Sequence, residues 1–494
     1  MKKIIVFYFS TMLALSACTD DFLTRYPHGA WHDGNMTPDD GSSSLLIESE
    51  LTSAYRDLGD WNNLWPVFAM HNIITPEAEK GSTPTDGAGD FSPFSDMSFT
   101  PSSGLISGFY SRCYGTITTV NRVLVLIQAL PDSNPDKNRY QAEAFFLRGL
   151  MYYRLTQAFG DVSYVDRVMD QTEEVVPRSP RETVREKYVK ELEWAIPHLM
   201  TRKQAVEKGV FRVITQNAAR AVIAKTYLYQ KNWAMAQNYA AQIIVSGDND
   251  LSTAFADVFK EKFEFGPESI LEANAEIDRE RQLILESPAG RMQGWRGLPN
   301  LGWGFHAPSE ALRNAFEPGD PRKKVTVIAP GDDLEGETAM PGEGSYGYCN
   351  GKAYVCKAEF AIKSRTLEDQ GTWYNPRIIR YSDILLLYAE ACCELGGEDN
   401  ISEALAKLEM VRKRARGSNT SVLPEVKTRD QNELREKIRF ERKIELAMEF
   451  EHYFDLVRWD VAKDLISGFE VGKHELFPIP QTEVDRGIGQ NPLY

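Results

Sequence analysis

The sequence has too little positive charge for a protein that binds polyanions. Its 494 residues include 56 Lys and Arg against 71 Asp and Glu, which gives a formal net charge of -15. Proteins that hold nucleic acid or an anionic membrane surface carry an excess of basic side chains, whereas here the excess is acidic. This balance argues against both classes and favours a neutral ligand.

Common catalytic motifs are also missing. The chain contains no P-loop, no HExxH, no CxxC and no GxSxG, which are typical of nucleotide hydrolysis, zinc proteolysis, dithiol exchange and serine hydrolysis. The nearest serine element, Glu343 to Gly347, lacks the first glycine of the last motif. We predict no catalytic residue and no cofactor.

Cysteine is scarce, with six in the chain. If Cys18 is set aside for the reason given below, the remaining five are an odd number and cannot form a complete disulfide framework. Cys349 and Cys356 flank a strong two-residue hairpin turn, Asn350-Gly351, whose register keeps them from facing each other. We therefore predict no disulfide between them.

Two patterns that suggest metal ligands are weak. His28 and His32 have the spacing of a helical ligand pair, but the nearby proline and glycines argue against a helix. A run of acidic and amide residues mimics a calcium-binding loop, but Lys137 stands where the sharp turn needs glycine. The residues of that run are Asp132, Asn134, Asp136, Asn138 and Glu143. No metal site is predicted.

The N-terminus lacks a segment long enough to span a membrane but has the features of an export signal. Two lysines precede an apolar run, Ile4 to Leu15, which is too short for a transmembrane helix. The next residues, a Leu-Ser-Ala-Cys sequence ending at Cys18, resemble a bacterial lipobox. This implies that residues 1–17 are a lipoprotein signal peptide and that Cys18 carries the lipid anchor. The alternative is a plain signal peptide followed by an incidental cysteine.

Apolar residues recur at three- and four-residue steps along much of the chain, which predicts a mostly α protein. In residues 377–459 the pattern predicts two paired helices, separated at Gly396 and Gly397, and a long closing helix. Residues 215–247 predict a further hairpin that resembles a tetratricopeptide repeat of about 34 residues. The predicted fold therefore consists of tetratricopeptide-like helical hairpins with long loop-rich insertions and a few short strands.

Two stretches interrupt the helical pattern. From Gly59 to about Gly104 the sequence is dense in Pro, Gly, Ser, Thr and Asp, and from Leu251 to Tyr374 short β-like runs and glycines replace the helical period. Long loops in compact proteins are usually functional or disordered, and the aromatic residues in these favour function. We expect the two stretches to form the walls of a binding site. The candidate ligand-binding residues are Trp295, Trp303, Trp61, Trp65 and Phe94. The alternative is that these aromatic side chains pack under the loops as core.

The C-terminal region carries a distinctive series of residues. They are Arg442, Glu445, Leu446, Glu449, Asp455, Leu456, Arg458 and Trp459, followed by the closing segment LFPIPQTEVDRGIGQNPLY. Together they closely resemble the C-terminal signature of the SusD/RagB family. The resemblance implies a SusD-like fold in a single domain, residues 18–494, with an N-terminal part of about 18–250 and a C-terminal SusD/RagB part of about 251–494.

Members of this family are lipid-anchored proteins that capture glycans at the outer membrane of Bacteroides-type bacteria. The resemblance therefore implies a non-catalytic protein, facing the cell exterior, that binds oligosaccharides and delivers them to a SusC-like TonB-dependent transporter. A family member that captures peptides or proteins would keep the same architecture and differ in its loops.

An exported glycosidase is the remaining alternative. Glu441 and Glu445 lie one helical turn apart, so their Cβ atoms would be about 5 to 6 Å from each other, near the carboxylate separation of a retaining glycosidase. Two unpaired buried carboxylates would be costly, however, and arginines occur nearby in the sequence. These are Arg435, Arg439, Arg442 and Arg458. We therefore favour a structural ion-pair network at this position.

Overall fold

The computed structural model describes most of the chain from Ser42 to Tyr494. The described residues are 42–59, 61–170, 175–210, 213–278, 283–285, 287–298, 302–334, 336–355 and 374–494. The predicted signal peptide, the proposed anchor Cys18, the His28 and His32 pattern and Cys356 lie outside the described residues.

The first half of the described chain consists of helices that pair with their neighbours in sequence. They are α1 (Ser42–Arg56), α2 (Trp61–Val67), α3 (Ala88–Ser95), α4 (Gly104–Ala129), α5 (Lys137–Phe159), α6 (Arg181–Ala195), α7 (Arg202–Glu207), α8 (Gln216–Tyr229) and α9 (Trp233–Ser246). Helix α4 packs on α5, α5 on α6, and α8 on α9. The side chain of Asn232 accepts a hydrogen bond from the Met235 N–H and so begins α9. The hairpin predicted for residues 215–247 is confirmed.

The second half contains the helices that close the fold. They are α10 (Ala289–Gln293), α11 (Glu310–Ala315), α12 (Arg322–Thr326), α13 (Tyr381–Leu395), α14 (Glu398–Arg416), α15 (Gln431–Glu445), α16 (His452–Arg458), α17 (Ala462–Leu465) and α18 (Gln481–Asp485). Helix α13 packs against α9, α14 and α15, which explains why its sequence is apolar on every side. The paired helices α13 and α14 confirm the prediction, and one hydrophobic core continues through both halves.

The strands are short and pair in antiparallel twos. They are β1 (Ala78–Gly81), β2 (Val162–Ser163), β3 (Arg178–Ser179), β4 (Ser269–Glu272), β5 (Glu276–Asp278), β6 (Leu283–Leu285), β7 (Gly297–Leu298), β8 (Phe305–Pro308), β9 (Val327–Ile328), β10 (Asp333–Leu334), β11 (Glu337–Thr338), β12 (Met340–Pro341), β13 (Cys349–Asn350) and β14 (Arg377–Arg380). The pairs are β1 with β8, β2 with β3, β4 with β14, β5 with β6, β7 with β12, β9 with β13 and β10 with β11. Most of these strands lie in the second half, where the sequence predicted short β-like runs.

The prediction of a long closing helix is wrong. Helix α15 ends at Glu445, and Met448 and Phe450 have φ values of +66° and +71°, which an α-helix does not accommodate. The Glu77 carboxylate accepts a hydrogen bond from the Met448 N–H at 2.5 Å. A buried acid from a distant part of the chain thus stabilises the end of the helix. The spacing of apolar residues along the helix could not predict this contact.

The stretch from Gly59 to Gly104 is more regular than predicted. It contains α2, a turn of π-helix (Phe68–Ile73), β1 and α3. Its phenylalanines, among them Phe91 and Phe99, are buried in the core. Buried apolar side chains at irregular spacing therefore stabilise regular structure in a segment whose composition is typical of a loop.

The hairpin turn predicted at Asn350-Gly351 is also wrong. Cys349 and Asn350 form β13, which pairs with β9 so that Cys349 lies opposite Ile328. Gly351 then begins a turn of 3₁₀-helix (Gly351–Ala353), and the Asn350 side chain caps that turn. Cys349 is a buried free thiol.

The calcium-like run adopts a different structure from a calcium-binding loop. Lys137 begins α5, and its Nζ is 2.8 Å from Asp132 Oδ1. Glu143 lies within α5 and accepts a hydrogen bond from Arg139 Nη1 at 2.9 Å. The carboxylates at the two ends of the run thus pair with basic side chains.

Candidate functional site

The two interrupted stretches of the sequence meet at the pair β1 and β8. The register sets Gly81 opposite Phe305, and the next residue, Ser82, donates its N–H to Gly304 O at 2.6 Å. Gly81 and Gly304 have φ values of +73° and +71°. A Cβ on Gly81 would lie 2.2 Å from Gly304 O, so a side chain has no room there. This crossing fixes two loops against each other.

Two indole rings lie beside the crossing. The ring centroid of Trp65 is 4.6 Å from that of Phe91 and 4.7 Å from that of Phe305, in both cases edge to face. Such contacts hold an aromatic ring in one orientation. Trp303 packs against the same core. Both indoles are half-buried, so part of each ring remains at the surface.

An ion pair lies next to these rings. Arg296 Nη1 is 2.9 Å from Asp86 Oδ2 and 3.0 Å from Ser82 Oγ, and it also approaches Trp303 O at 3.4 Å. The side chains of Arg296 and Asp86 remain 36% and 37% exposed. The hydrogen bond from Ser82 Oγ lowers the pKa of Asp86 below its usual range. The carboxylate therefore remains a charged acceptor at the surface.

Two tyrosines from the following loop extend this surface. Tyr346 donates its N–H to Ser82 O at 2.7 Å. The Arg313 guanidinium lies 3.7 Å from the ring centroid of Tyr348, and its Nη1 donates to the Tyr346 hydroxyl at 2.9 Å. Both phenol rings are half-buried. Arg313 thus stacks on one tyrosine and holds the hydroxyl of the other.

We call this surface the loop face. It consists of Trp65, Asp86, Arg296, Trp303, Tyr346 and Tyr348. Sugar rings present patches of C–H that match aromatic surfaces, and hydroxyl groups that match charged and phenolic side chains. The loop face offers both kinds of surface side by side, which suits the binding of an oligosaccharide.

The loop face includes only part of the predicted set of ligand-binding aromatics. The Trp65 ring contacts Phe305, two residues after Trp303, so the two loop stretches that carry these indoles meet. The backbone of Trp61 begins α2, but its side chain lies outside the described residues.

Trp295 and Phe94 are corrections to that set. Trp295 is 1% exposed, packs against Ile328 and donates its Nε1–H to Met340 O at 3.0 Å. Phe94 is 0% exposed and stacks on Phe99 with ring centroids 5.2 Å apart. Both side chains are core beneath the loops, since each fills space that the irregular backbone leaves open.

The sequence analysis missed the polar and phenolic groups of the loop face. One signal was present for Tyr346 and Tyr348, which alternate with glycine near the end of the second stretch, a composition typical of exposed aromatic loops. Arg296 gave none, because its neighbour Trp295 was itself predicted to bind the ligand. The partner of Arg296, Asp86, is far away in sequence and gave no signal.

Glu441 and Glu445 are enclosed by arginines, and both are 0% exposed. Arg322 forms ion pairs with both carboxylates. Arg412 Nη1 is 2.8 Å from Glu441 Oε2, and Arg414 Nη2 is 2.5 Å from Glu445 Oε1. The predicted ion-pair network is confirmed, and its geometry leaves neither carboxylate available to a substrate.

The partners of these two acids differ from the arginines that their sequence neighbourhood suggested. Arg435 pairs with Glu394, Arg439 with Glu436, Arg442 with Asp383 and Asp455, and Arg458 with Glu390 and Asp455. Burial raises the pKa of Glu445, but Arg414, Arg380 and Arg322 outweigh burial and lower it to about 2. The charged form is therefore the stable one in the fold.

Two family models match the chain. One, described as the SusD family, matches residues 267–475, and the other, described as "Starch-binding associating with outer membrane", matches residues 51–228. The chain belongs to the SusD family. The family resemblance of its C-terminal signature is thereby confirmed, and the second description associates this class of proteins with the outer membrane.

Two curated relatives are similar to this chain over most of its length. A SusD-like protein of Formosa agariphila is 23% identical over 531 residues, covering 100% of both chains. A SusD-like protein of Bacteroides ovatus is 24% identical and covers 93% of this chain and 83% of its own length. Within the described residues, no helix has the length and apolarity needed to cross a bilayer.

Solved structures confirm the SusD-like, mostly helical fold. A laminarin-binding SusD-like protein is similar with a TM-score of 0.75 at 24% identity, covering 91% of this chain and 99% of that one. The surface glycan-binding protein A of Bacteroides thetaiotaomicron, in complex with laminarihexaose, gives a TM-score of 0.75 at 22% identity, with 90% and 99% covered. At these identities the similarity establishes the fold alone.

Proposed function

We propose that this SusD-family protein captures oligosaccharides at the cell surface without cleaving them and passes them to a SusC-like TonB-dependent transporter. The observation that carries the proposal is the loop face, with its half-buried indole and phenol rings around the Asp86–Arg296 ion pair. A lipid on Cys18 would hold the protein on the outer membrane, facing the exterior.

The choice of probe follows from the similar structures. Two of them are a laminarin-binding protein and a complex with laminarihexaose. Laminarin and laminarihexaose are therefore the first ligands to test here, followed by plant, host and microbial glycans. The net charge of -15 further favours neutral glycans over strongly acidic ones.

The two carboxylates that most resemble a catalytic pair are not accessible to a substrate, which supports binding without cleavage. Glycoside hydrolysis needs one carboxyl group that can protonate the leaving group and another that can reach the sugar. Glu441 and Glu445 are buried and paired with arginines, and they belong to the core of the C-terminal helices.

The test is calorimetric titration of the chain lacking residues 1–18, with analysis of the recovered glycan. We expect saturable binding of at least one glycan, recovered intact. Recovery of shortened fragments would instead identify an enzyme. An absence of binding across the whole panel would overturn glycan capture and direct the search to peptides.

Variants of the loop face locate the site. We expect Trp303→Ala and Tyr348→Ala each to weaken glycan binding at least tenfold, about 1.4 kcal/mol. The first removes an aromatic platform for a sugar ring, and the second removes the ring that holds Arg313 in position. Trp233→Ala is the matched control, since Trp233 is a half-buried indole on α9 that does not belong to the loop face. Wild-type affinity in both loop-face variants would rule out this surface as the binding site.

A further inference from the structure

A small cavity lies between the two halves of the fold, and none of the loop-face residues lines it. Its walls come from α5, α8, β14, the π-helical turn and residues 449–451, and it has a volume of about 70 Å³. One water needs roughly 10–15 Å³ of such space, so the cavity has room for a group of several non-hydrogen atoms.

Most charged side chains of this cavity have partners of opposite charge. Lys225 Nζ is 2.8 Å from Asp383 Oδ2 and 2.7 Å from Glu451 Oε2. Arg377 and Glu449, which also line it, are likewise in ion pairs with other side chains. These groups are neutralised by the protein itself.

Arg154 is the exception. Its Nη1 donates to Asn63 Oδ1 at 2.8 Å, and no carboxylate of the described residues forms an ion pair with it. Burial lowers the pKa of Arg154, the direction expected when a charge loses water and gains no counter-charge. The Arg154 side chain is half-buried, so it has lost part of its hydration without gaining a counter-charge, and a bound anion would offset that loss.

Two neutral groups from the same helix stand beside Arg154. Tyr153 and Gln157 both line the cavity, and neither side chain has a hydrogen bond to another residue in the described part of the chain. Both can donate to an oxygen. One charged and two neutral side chains from α5, all able to donate hydrogen bonds, therefore line the same small cavity.

We propose that this cavity binds a small singly charged carboxylate through the guanidinium of Arg154, with Tyr153 and Gln157 as further donors. A guanidinium fork matches the two oxygens of a carboxylate, and the Asn63 contact holds the fork in position. Glu449 and Glu451 line the same space, so a single negative charge is tolerated better there than the double charge of phosphate.

A ligand in this position would connect the two halves of the protein, and its binding can be measured as stabilisation of the fold. The probe is sodium acetate, titrated into the chain lacking residues 1–18 at constant ionic strength, with sodium HEPES as the balancing salt. We expect a saturable rise of the thermal midpoint of at least ~2 °C. A flat response to acetate, or a response to phosphate but not to acetate, would overturn the assignment.

The variant Arg154→Gln tests the role of the guanidinium. We expect it to abolish the acetate response and to leave the acetate-free midpoint unchanged or higher, because it removes a half-buried charge that has no counter-charge. Arg486→Gln is the matched control, an exposed arginine that pairs with Glu483, and it should respond as wild type does.

Should Arg154→Gln fail to fold, Tyr153→Phe removes a single hydroxyl from the cavity wall and keeps the ring. We expect this variant to need at least threefold more acetate for half of the maximal shift. An acetate response that is unchanged in every cavity variant that folds would contradict the proposed site.

Discussion

Ion pairs in two regions of this protein differ in their exposure to water, and the difference shows which pair remains accessible to a ligand. On the loop face, the side chains of Asp86 and Arg296 keep 37% and 36% of their surface exposed. In the interior, Arg322 and Glu441 are both 0% exposed. Water already solvates the first pair, so its groups can exchange partners with a ligand at small cost, whereas the second pair is closed off from both water and ligands.

The largest effect is expected from breaking the interior network. In Glu445→Gln the one negative charge shared by Arg322, Arg380 and Arg414 is removed, so three buried guanidinium groups each lose an ion-pair partner. We expect a loss of about 3 to 5 kcal/mol in the free energy of unfolding, measured by urea denaturation. Glu436→Gln on the same helix is the control, since its side chain is 70% exposed. Equal stability of the two variants would contradict the distinction between the regions.

Glu77 is a buried acid that has no ion pair with an arginine in the described part of the chain, and it offers a contrast with Glu445. Burial raises the pKa of Glu77 from 4.5 to about 7, and the neighbouring His452, with Nδ1 3.8 Å away, is held neutral because burial lowers its pKa to about 4. The folded protein therefore binds a proton at Glu77 between about pH 4.5 and pH 7 that the unfolded chain releases. The stability from this proton is complete below about pH 4.5 and is lost as the pH rises through 7, by roughly 3 kcal/mol at most.

The variant Glu77→Gln imitates the protonated acid and can still accept the Met448 N–H. We expect it to be more stable than wild type at pH 8 and to lose this component of the pH dependence between pH 5 and pH 8. The measurement is urea unfolding of both proteins at several pH values. A wild-type pH profile in the variant would show that Glu77 is ionised in the fold.

The smallest effect on stability is expected at the loop face. In Asp86→Asn the exposed ion pair is lost, and the free energy of unfolding should change by no more than about 0.5 kcal/mol. The affinity for a bound glycan should nevertheless fall about threefold to tenfold, because Asn is a weaker acceptor than a carboxylate. Calorimetry and urea denaturation of the same preparation separate the two outcomes. A large loss of stability would place this pair with the interior network.

The sequence was informative where structure depends on local periodicity. Helices α8, α9, α13 and α14 follow the spacing of their apolar residues, and Gly396 and Gly397 mark the break between two of them. The break after α15 was not predictable, since it depends on Glu77, which lies far away in the sequence. Helical periodicity reports which side of a helix is buried but not which distant side chain will reach its end.

The ligand-binding role of the predicted aromatic residues stays a prediction, and the structure shows only how exposed their side chains are. Composition identified both loop stretches, which meet at β1 and β8, and it named Trp65 and Trp303, whose side chains are half-buried. It could not distinguish them from Trp295 and Phe94, because an aromatic residue in a loop is equally suited to a surface and to a core beneath it. That choice depends on the pairing of β1 with β8.

The same pairing has a consequence for how the protein matures. Strands β1 and β8 are separated by more than two hundred residues of chain, and contacts between such distant segments form late because the intervening chain must first be ordered. The helical hairpins, whose partners are close in sequence, can assemble before them. We therefore expect newly exported chains to become compact before they acquire the ability to hold a ligand, and any fragment that ends before Phe305 to lack that ability permanently.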